Sequence, residues 1–352
     1  MLRWMTVSGA VLAASLAASG FADDGHTSAG DAWRADADAF VAVLEAEHDN
    51  PFFHTPEEQY RAALDAYKRD VDTMSHAQRV AGLAHLAALV GDGHTWMPMH
   101  ALPFDGLPAG PGFRSLPVRF ELFDEGLFIV GATDAHADLL GGRVTGFGNV
   151  SASEAEARMM ALLPNDTTSF ASEFVAELLM QAELLAASGL TMDAEAVVLQ
   201  IESDGRPITV NLSPLGADAR YDWVFSMDSG PSGEDDWLRA TDLSPAWQQT
   251  FDRMWRTQSM DGASYLQIIN IRDGANQSYA QIAQEAVDLA LQSDSPRLVI
   301  DLRRCLGGDG TLNAGLLAAV TSATELNQPG RIAVLTSRQT HSAAVMLVSV
   351  LE

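Results

Sequence analysis

The chain has few of the residues on which several common kinds of protein depend. Cys305 is its one cysteine, so no disulfide can form within the chain. Lysine also occurs once, at Lys68, and 21 Lys and Arg residues are set against 47 Asp and Glu residues. The resulting formal net charge of −26 argues against nucleic acids and anionic membranes as partners.

Several catalytic and metal-binding motifs are also missing from the sequence. It contains no GxSxG, P-loop or GxGxxG pattern, which argues against a standard hydrolase elbow, an NTPase and a dinucleotide enzyme. The histidines form no HExxH motif and show no metal-ligand spacing. We therefore expect neither a metal nor a cofactor.

One long apolar run is present, at the N-terminus. Arg3 precedes an uncharged stretch from Met5 to Ala22, and Gly20 and Ala22 place small residues at the −3 and −1 positions. This pattern predicts a secretory signal peptide over residues 1–22, with a retained membrane anchor as the alternative. We therefore expect an exported protein, periplasmic or secreted, with no membrane span after signal removal.

Residues 23–100 are predicted to form a helical module that presents His94. Periodic apolar residues and capping boxes indicate three helices, at 31–48, from Thr55–Glu58 to about Met74, and from Ser75–Gln78 to Gly91. A polar tetrad, Asp92-Gly93-His94-Thr95, follows the last helix. A rigid helix end would hold that histidine in place.

The middle of the chain has the pattern of a small α+β module. Residues 101–112 contain three prolines and three glycines and are predicted to be a linker. Residues 113–215 are predicted to hold two hairpins, one formed by 118–122 with 127–131 and one by 197–201 with 208–212. A further strand is predicted at 141–147, and helices at 151–163 and 169–188.

Residues 216–352 carry the strongest fold signal. The predicted elements are a helix from Ser244-Pro245, a strand at 265–271, a helix at 279–291, a strand from Arg297, a helix at 311–325, a strand from Arg331 and a helix opened by Ser342. Strand, helix and strand at this spacing form a parallel crossover unit, with both strand ends at one edge of the sheet. Binding sites in such sheets lie at that edge.

Two loops at this edge bring groups that suit acyl-transfer chemistry. Gly307 and Gly308 follow the first strand, where bare backbone N–H groups can approach a substrate closely. Ser342 follows the second strand at a helix N-terminus, which favours a developing anion. Together they predict a nucleophile facing half of an oxyanion hole, although a serine in this position is by itself more often an N-cap.

A serine nucleophile needs a base, and His94 and His341 are the leading candidates. His341 is adjacent to Ser342, and neighbouring side chains point apart, so we expect a structural role for His341. His94 is distant in sequence, which is no objection because triads are defined by geometry. Cys305 with His94 is a conceivable thiol pair, though a buried structural cysteine is the commoner case. Asp301 ends a strand and is expected to bond loop backbone.

Four stretches resemble the exported serine peptidases of the tail-specific, C-terminal-processing and tricorn-core group. Val299–Arg303 through Gly307-Gly308 is similar to that family's aspartate-leucine-arginine strand and glycine loop, and Thr340–Ala344 to its nucleophile motif. The stretch from Glu47 to Thr95 resembles the N-terminal part of the branch that uses a histidine base. Leu139–Gly146 resembles part of the family's PDZ-like insert.

The resemblance implies roles for individual residues. Ser342 would be the nucleophile, His94 the general base, and the N–H of Ala343 with that of Gly307 or Gly308 the oxyanion hole. The family's lysine branch has a lysine soon after the serine, whereas Lys68 precedes it, which favours the histidine branch.

The sequence departs from the family pattern at two places. Cys305 and Leu306 stand where the family has small or amide residues. The histidine branch orients its base with a glutamate farther downstream, but Glu352 is the last residue and lies in the helix opened by Ser342. We therefore expect a C-terminally incomplete catalytic core, with the orienting acid beyond residue 352.

The sequence thus predicts an α/β and α+β multidomain protein, with a crotonase-like βαβ catalytic core and a PDZ-like module. The predicted function is a serine endopeptidase acting on peptides or unfolded proteins. The alternative is a non-catalytic exported peptide-binding protein with the same fold. The sequence does not indicate an oligomeric state.

Overall fold

The computed structural model describes residues 29–97, 99, 111–164, 166–216, 237–243, 245–248 and 254–352. The predicted signal peptide, residues 101–110 of the predicted linker and Ser244 lie outside these ranges. The chain divides into two compact units between Asp242 and Leu243, and each is described by itself. In the described part of the chain, no helix combines the length and the apolar character that a membrane span requires.

The described residues of the first unit include six α-helices, of which the N-terminal three and the fourth were predicted. They are α1 (Ala29–Glu47), α2 (Glu57–Asp70), α3 (His76–Ala88), α4 (Ala152–Met160), α5 (Thr168–Leu178) and α6 (Ala182–Ala187). The capping box at Ser75 is confirmed, since its hydroxyl accepts from Gln78 N and the Gln78 side chain accepts from Ser75 N.

Three details of the predicted helices are wrong. Pro56 stands at the N-cap of α2 and offers no side-chain hydrogen bond, so the capping box predicted at Thr55 does not form. The helix ends at Asp70 rather than Met74, because the backbone and hydroxyl of Thr73 both donate to the Asp70 carbonyl and close a turn. The predicted helix at 169–188 is two helices, because Met180 O accepts from Leu116 N and Ala182 N donates to Arg114 O.

The first unit also holds an antiparallel sheet that contains both predicted hairpins. Its strands are β1 (Val118–Phe123), β2 (Gly126–Thr133), β3 (Arg143–Phe147), β4 (Val150–Ser151), β5 (Val197–Ser203), β6 (Arg206–Leu212) and β7 (Trp237–Arg239). The order is β1-β2-β3-β5-β6, with β4 paired to β3 and β7 paired to β2. Strand β7 was not predicted.

The second unit is a four-stranded sheet with helices between its strands. Its elements are β8 (Trp255–Met260), β9 (Ala263–Ile268), α7 (Tyr279–Leu291), β10 (Leu298–Asp301), α8 (Asn313–Ser322), β11 (Ile332–Leu335) and α9 (Ala343–Leu351). The strand order is β11-β10-β9-β8, with β9, β10 and β11 parallel and β8 antiparallel to β9. The predicted crossover from β10 through α8 to β11 is confirmed.

Two predictions for this unit need correction. Ser244 and residues 249–253 of the helix predicted from Ser244-Pro245 lie outside the described residues, and its described part, residues 245–248, contains a 3-10 turn, Ala246–Gln248. Strand β8 was not predicted, because its residues mix polar and apolar types without alternation. Buried aliphatic side chains from the sheet and from α7, α8 and α9 form one hydrophobic core: Leu266, Ile268, Ile282, Val287, Leu298, Ile300, Leu316 and Leu347. This core holds β10 and β11 in place, and with them the loops that follow the two strands.

Candidate active site

Ser342 occupies a strained position between β11 and α9. Its backbone has φ 53° and ψ −125°, a region that costs a residue with a side chain on the order of 1–3 kcal/mol. Its side chain accepts no capping hydrogen bond from the fully described first turn of α9. Strained backbone at a serine that opens a helix is also found at the catalytic serine of the GxSxG motif, which this chain lacks.

Other serines in the chain show what ordinary capping looks like. Ser75, Ser151 and Ser278 precede α3, α4 and α7, with φ of −64°, −65° and −81°. Each of these hydroxyls accepts a hydrogen bond from the backbone N–H of the third helical residue. Ser342 shares their place in the sequence pattern and none of this geometry, so the helix-capping interpretation does not fit it.

Gly307 lies directly against the Ser342 turn. A Cβ added to Gly307 would lie 2.7 Å from the Ser342 Cβ, 3.0 Å from Ala343 N and 3.0 Å from His341 O. The φ of Gly307 is +108°, which also favours glycine. The Ala343 N–H belongs to the first turn of α9, where N–H groups have no acceptor within the helix. The structure therefore brings together the serine, a glycine backbone and a helix N-terminus.

Gly308 anchors the other side of the same loop. Ile271 N donates to Gly307 O and Asp309 N donates to Ile271 O, each at 2.7 Å. A Cβ at Gly308 would lie 2.2 Å from Ile271 O, so only glycine allows this approach. Main-chain hydrogen bonds on both sides of Ile271 therefore help to hold the shape of the loop.

The loop before Ser342 is tied to the end of β10 by side-chain and main-chain hydrogen bonds. The Thr340 hydroxyl donates to Leu302 O at 2.8 Å and accepts from Ser337 N at 2.9 Å. The Ser337 hydroxyl donates to Arg303 O. His341 N donates to Cys305 O at 3.0 Å, so the backbone of His341 joins the two loops. The sequence analysis did not identify the part played by Thr340.

Asp301 is fully buried at the end of β10 and organises the segment beyond it. Its carboxylate accepts from Tyr265 Oη at 2.6 Å, from Arg303 N at 3.0 Å and from the Arg303 guanidinium. The expected bond to loop backbone is thus confirmed. The guanidinium also lies 4.8 Å from the centroid of the Trp247 ring.

Cys305 is a buried residue of the glycine loop. Its thiol lies 4.0 Å from Gly307 O, and burial raises the pKa of the thiol to about 12. A thiol with that pKa remains protonated at neutral pH and is a poor nucleophile. The environment of Cys305 is that of a structural cysteine.

His94 lies in the first unit, in the turn that follows α3. Gly91 ends the helix with φ +71°, and a Cβ there would lie 2.3 Å from the His54 ring. Asp92 Oδ1 accepts from His94 N at 3.1 Å and lies 3.6 Å from His94 Nδ1, while Asp92 Oδ2 accepts from the Thr95 hydroxyl at 2.8 Å. The imidazole side chain is 61% exposed.

Asp92 and His94 shift each other's protonation. The neighbouring His94 imidazole, with Nδ1 3.6 Å from Oδ1, holds the pKa of the Asp92 carboxyl well below its usual range. The Asp92 carboxylate in turn raises the pKa of the His94 imidazole, against a smaller lowering by burial. The sequence analysis missed Asp92, although an Asp two residues before a backbone donor is the spacing of an Asx-turn.

The predicted site residues thus fall into two groups. Ser342, Ala343, Gly307 and Gly308 meet within the second unit, and His94 with Asp92 belongs to the first. Among the described residues, no group of three or more His, Cys, Asp or Glu side chains is arranged to hold a metal ion.

Comparison with known proteins gives a likeness in structure and none in sequence. No protein-family model matches the chain, and no curated protein matches it. One solved structure that it resembles is a photosystem II D1 C-terminal processing protease, at 14% identity and a TM-score of 0.35. That match covers 92% of this chain and 79% of the other chain.

Proposed function

We propose that this chain is a serine peptidase with Ser342 as its nucleophile. The observation that carries the proposal is the strained turn at Ser342, whose Cβ lies 2.7 Å from where a Gly307 Cβ would stand. A folding role for this serine would favour negative φ and a capping bond, as at Ser75, Ser151 and Ser278. A serine beside a glycine backbone and a helix N-terminus is instead an arrangement that suits acyl transfer, because the backbone N–H groups can stabilise an oxyanion.

In the proposed reaction, the Ser342 hydroxyl oxygen attacks the scissile carbonyl carbon and its proton passes to His94. The carbonyl oxygen becomes an oxyanion, which the N–H of Ala343 and that of Gly307 or Gly308 stabilise by about 3 kcal/mol per donor. His94 then gives the proton to the departing amine, and an acyl-enzyme remains. Water, deprotonated by His94, releases the acid and restores Ser342.

The wider setting of the reaction is part of the same proposal. We assign the second unit as a crotonase-like catalytic core and the sheet of the first unit as a PDZ-like module. The substrate would be a peptide or an unfolded protein, and the N-terminal apolar run supports an exported location. The parallel strands β9, β10 and β11 support the assignment of the core, because the Gly307-Gly308 loop and the loop before Ser342 follow the carboxyl ends of β10 and β11.

Labelling with a fluorophosphonate probe tests the proposal directly. The full chain should form one covalent adduct and degrade casein, and Ser342→Ala should lose both activities. His94→Ala should lower both by at least about a hundredfold, in line with the loss of a general base. Ser349→Ala is the matched control, because this serine lies on α9 and its hydroxyl bonds Val345 O. Labelling that survives in a folded Ser342→Ala variant would exclude Ser342 as the nucleophile.

A non-catalytic peptide-binding protein is the second candidate. An open apolar pocket of about 350 Å³ in the first unit, lined by Phe123, Phe128, Ile129 and Ala240 among others, favours it. The labelling experiment separates the two functions. A folded chain that binds peptides and forms no adduct would support binding alone.

A further inference from the structure

We infer that Asp92 is the positioning residue that orients His94, so that this chain supplies its own acid for the catalytic histidine. The inference rests on the proposed function, and it replaces the expectation that the orienting acid lies beyond residue 352. It begins from the geometry of the turn after α3. There the carboxylate of Asp92 lies 3.6 Å from His94 Nδ1.

Three groups besides the His94 imidazole lie against the carboxylate of Asp92. Its Oδ1 accepts from the backbone N–H of His94 at 3.1 Å, and its Oδ2 accepts from the Thr95 hydroxyl at 2.8 Å. His48 Nε2 also lies 3.5 Å from Oδ2. Because the turn fixes the carboxylate, it can select the tautomer of His94 that carries a proton on Nδ1. The Nε2 atom is then left unprotonated and able to act as a base.

The exposure of the two side chains fits this division of roles. The Asp92 side chain is 34% exposed and the His94 side chain is 61% exposed, so the carboxylate is the more enclosed of the two. The pKa of Asp92 lies well below its usual range, so the carboxylate is ionised at every pH at which a histidine base works. Its charge then stabilises the imidazolium that forms when His94 takes a proton.

The other charged groups near this pair are few and can be tested separately. The negative charge of Asp166 also raises the pKa of His94, and this effect is smaller than that of Asp92. His48 faces Asp92 from the residue after α1, and its Nδ1 accepts from Asn50 N. Asp166 therefore offers a matched control, because it is a nearby carboxylate outside the turn.

The test is Asp92→Asn in the full chain, because the asparagine oxygen can still accept from His94 N while its amide group, in the place of Oδ2, can donate to the Thr95 hydroxyl oxygen. We expect NMR titration to give a lower His94 pKa than in the parent chain, because the carboxylate charge that raises it is gone. We expect kcat on a peptide substrate to fall by at least about tenfold with KM within twofold, and the acid limb of the pH profile to move to lower pH. Asp166→Asn should leave kcat unchanged and move the His94 pKa by less than Asp92→Asn does.

The outcomes distinguish this inference from the proposed function. An unchanged His94 pKa in folded Asp92→Asn, or a lower pKa with an unchanged kcat, overturns the role of Asp92 and leaves a serine peptidase in place. If the parent chain forms no fluorophosphonate adduct, the proposed function fails. In that case the titration still decides whether Asp92 sets the protonation of His94.

Discussion

The turns around Ser342 and His94 are held in shape by different forces. Backbone geometry fixes the Ser342 turn, through positive φ angles, two glycines that admit no Cβ, and main-chain bonds to Ile271 and Cys305. The Asp92 side chain holds the His94 turn, since its carboxylate accepts from the backbone N–H of His94 and lies 3.6 Å from the imidazole Nδ1. The first turn should therefore be sensitive to added volume, and the second to lost charge.

Of the variants that test this comparison, Gly307→Ala is expected to have the largest effect on activity. The new methyl group would lie 2.7 Å from the Ser342 Cβ and must displace the serine. A displacement of that kind costs about a hundredfold in rate, so kcat/KM and fluorophosphonate labelling should fall by at least that factor. Gly330→Ala is the control, because Gly330 has φ +78° and no atom within 4 Å of the added Cβ.

The control separates steric overlap from backbone strain. Gly330→Ala should cost about 1–2 kcal/mol of stability in urea unfolding and leave labelling intact. If the fluorophosphonate labels the parent chain and Gly307→Ala equally, the close approach of the Gly307 backbone does not set the position of Ser342.

A smaller effect is expected from Thr340→Val, which removes a hydroxyl but keeps the shape of the side chain. Leu302 O loses a donor and Ser337 N loses an acceptor. The free energy of unfolding measured in urea should therefore fall by about 1–3 kcal/mol. We expect kcat to fall about tenfold because the loop before Ser342 loosens. Thr324→Val, at an exposed threonine whose hydroxyl bonds Glu325, should change neither quantity. If kcat is unchanged in Thr340→Val, the hydroxyl does not position the loop.

The Asp92–His94 pair should give a modest stability difference that depends on pH. Asp92 has a lowered pKa, so its contribution is present above about pH 4 and is lost as the pH falls through the lowered value. His94 has a raised pKa, so its contribution is complete below about pH 6.5 and is lost as the pH rises through the raised value. The stability gap between the parent chain and Asp92→Asn should therefore be wider at pH 5.5 than at pH 9.

The gap should not exceed about 1 kcal/mol, because both side chains are partly exposed to solvent. Urea unfolding at the two pH values measures it, with Asp166→Asn as the reference carboxylate variant. A gap of the same size at both pH values would mean that charge does not hold the His94 turn.

The smallest effect is expected at Cys305. Its pKa of about 12 leaves fewer than about one thiol in a thousand ionised at pH 8, so the folded chain should not react with a disulfide reagent. Reaction should begin only on unfolding in urea, and Cys305→Ala should keep its fluorophosphonate labelling. Rapid modification of the native thiol, with loss of activity, would favour the thiol alternative over Ser342.

Much of the fold was predictable because local signals and packing agree. The capping box at Ser75, the helix at 279–291 and the β10-α8-β11 crossover all follow from short patterns in the sequence. The errors arose where tertiary contacts decided the outcome. The apolar residues of 169–188 fit one helix, but pairing with Arg114 and Leu116 breaks it at Met180.

The candidate site was predictable in part for similar reasons. The crossover topology alone places Ser342 near the glycine loop, and the structure brings them together. The strain at Ser342 could not be predicted, because it comes from contacts with residues more than thirty positions earlier in the chain rather than from a local motif. Asp92 could have been found from its Asx-turn spacing. The catalytic roles of Ser342, His94, Gly307, Gly308 and Ala343 stay predictions.

The backbone angle at Ser342 has a consequence for directed evolution. At φ 53° glycine is the residue that folding prefers, so a selection for heat resistance alone should replace the serine with glycine. A library screened for survival after heating and a second library screened for turnover would then diverge at this codon. β-Branched residues such as threonine should be rare in both, because they tolerate positive φ poorly.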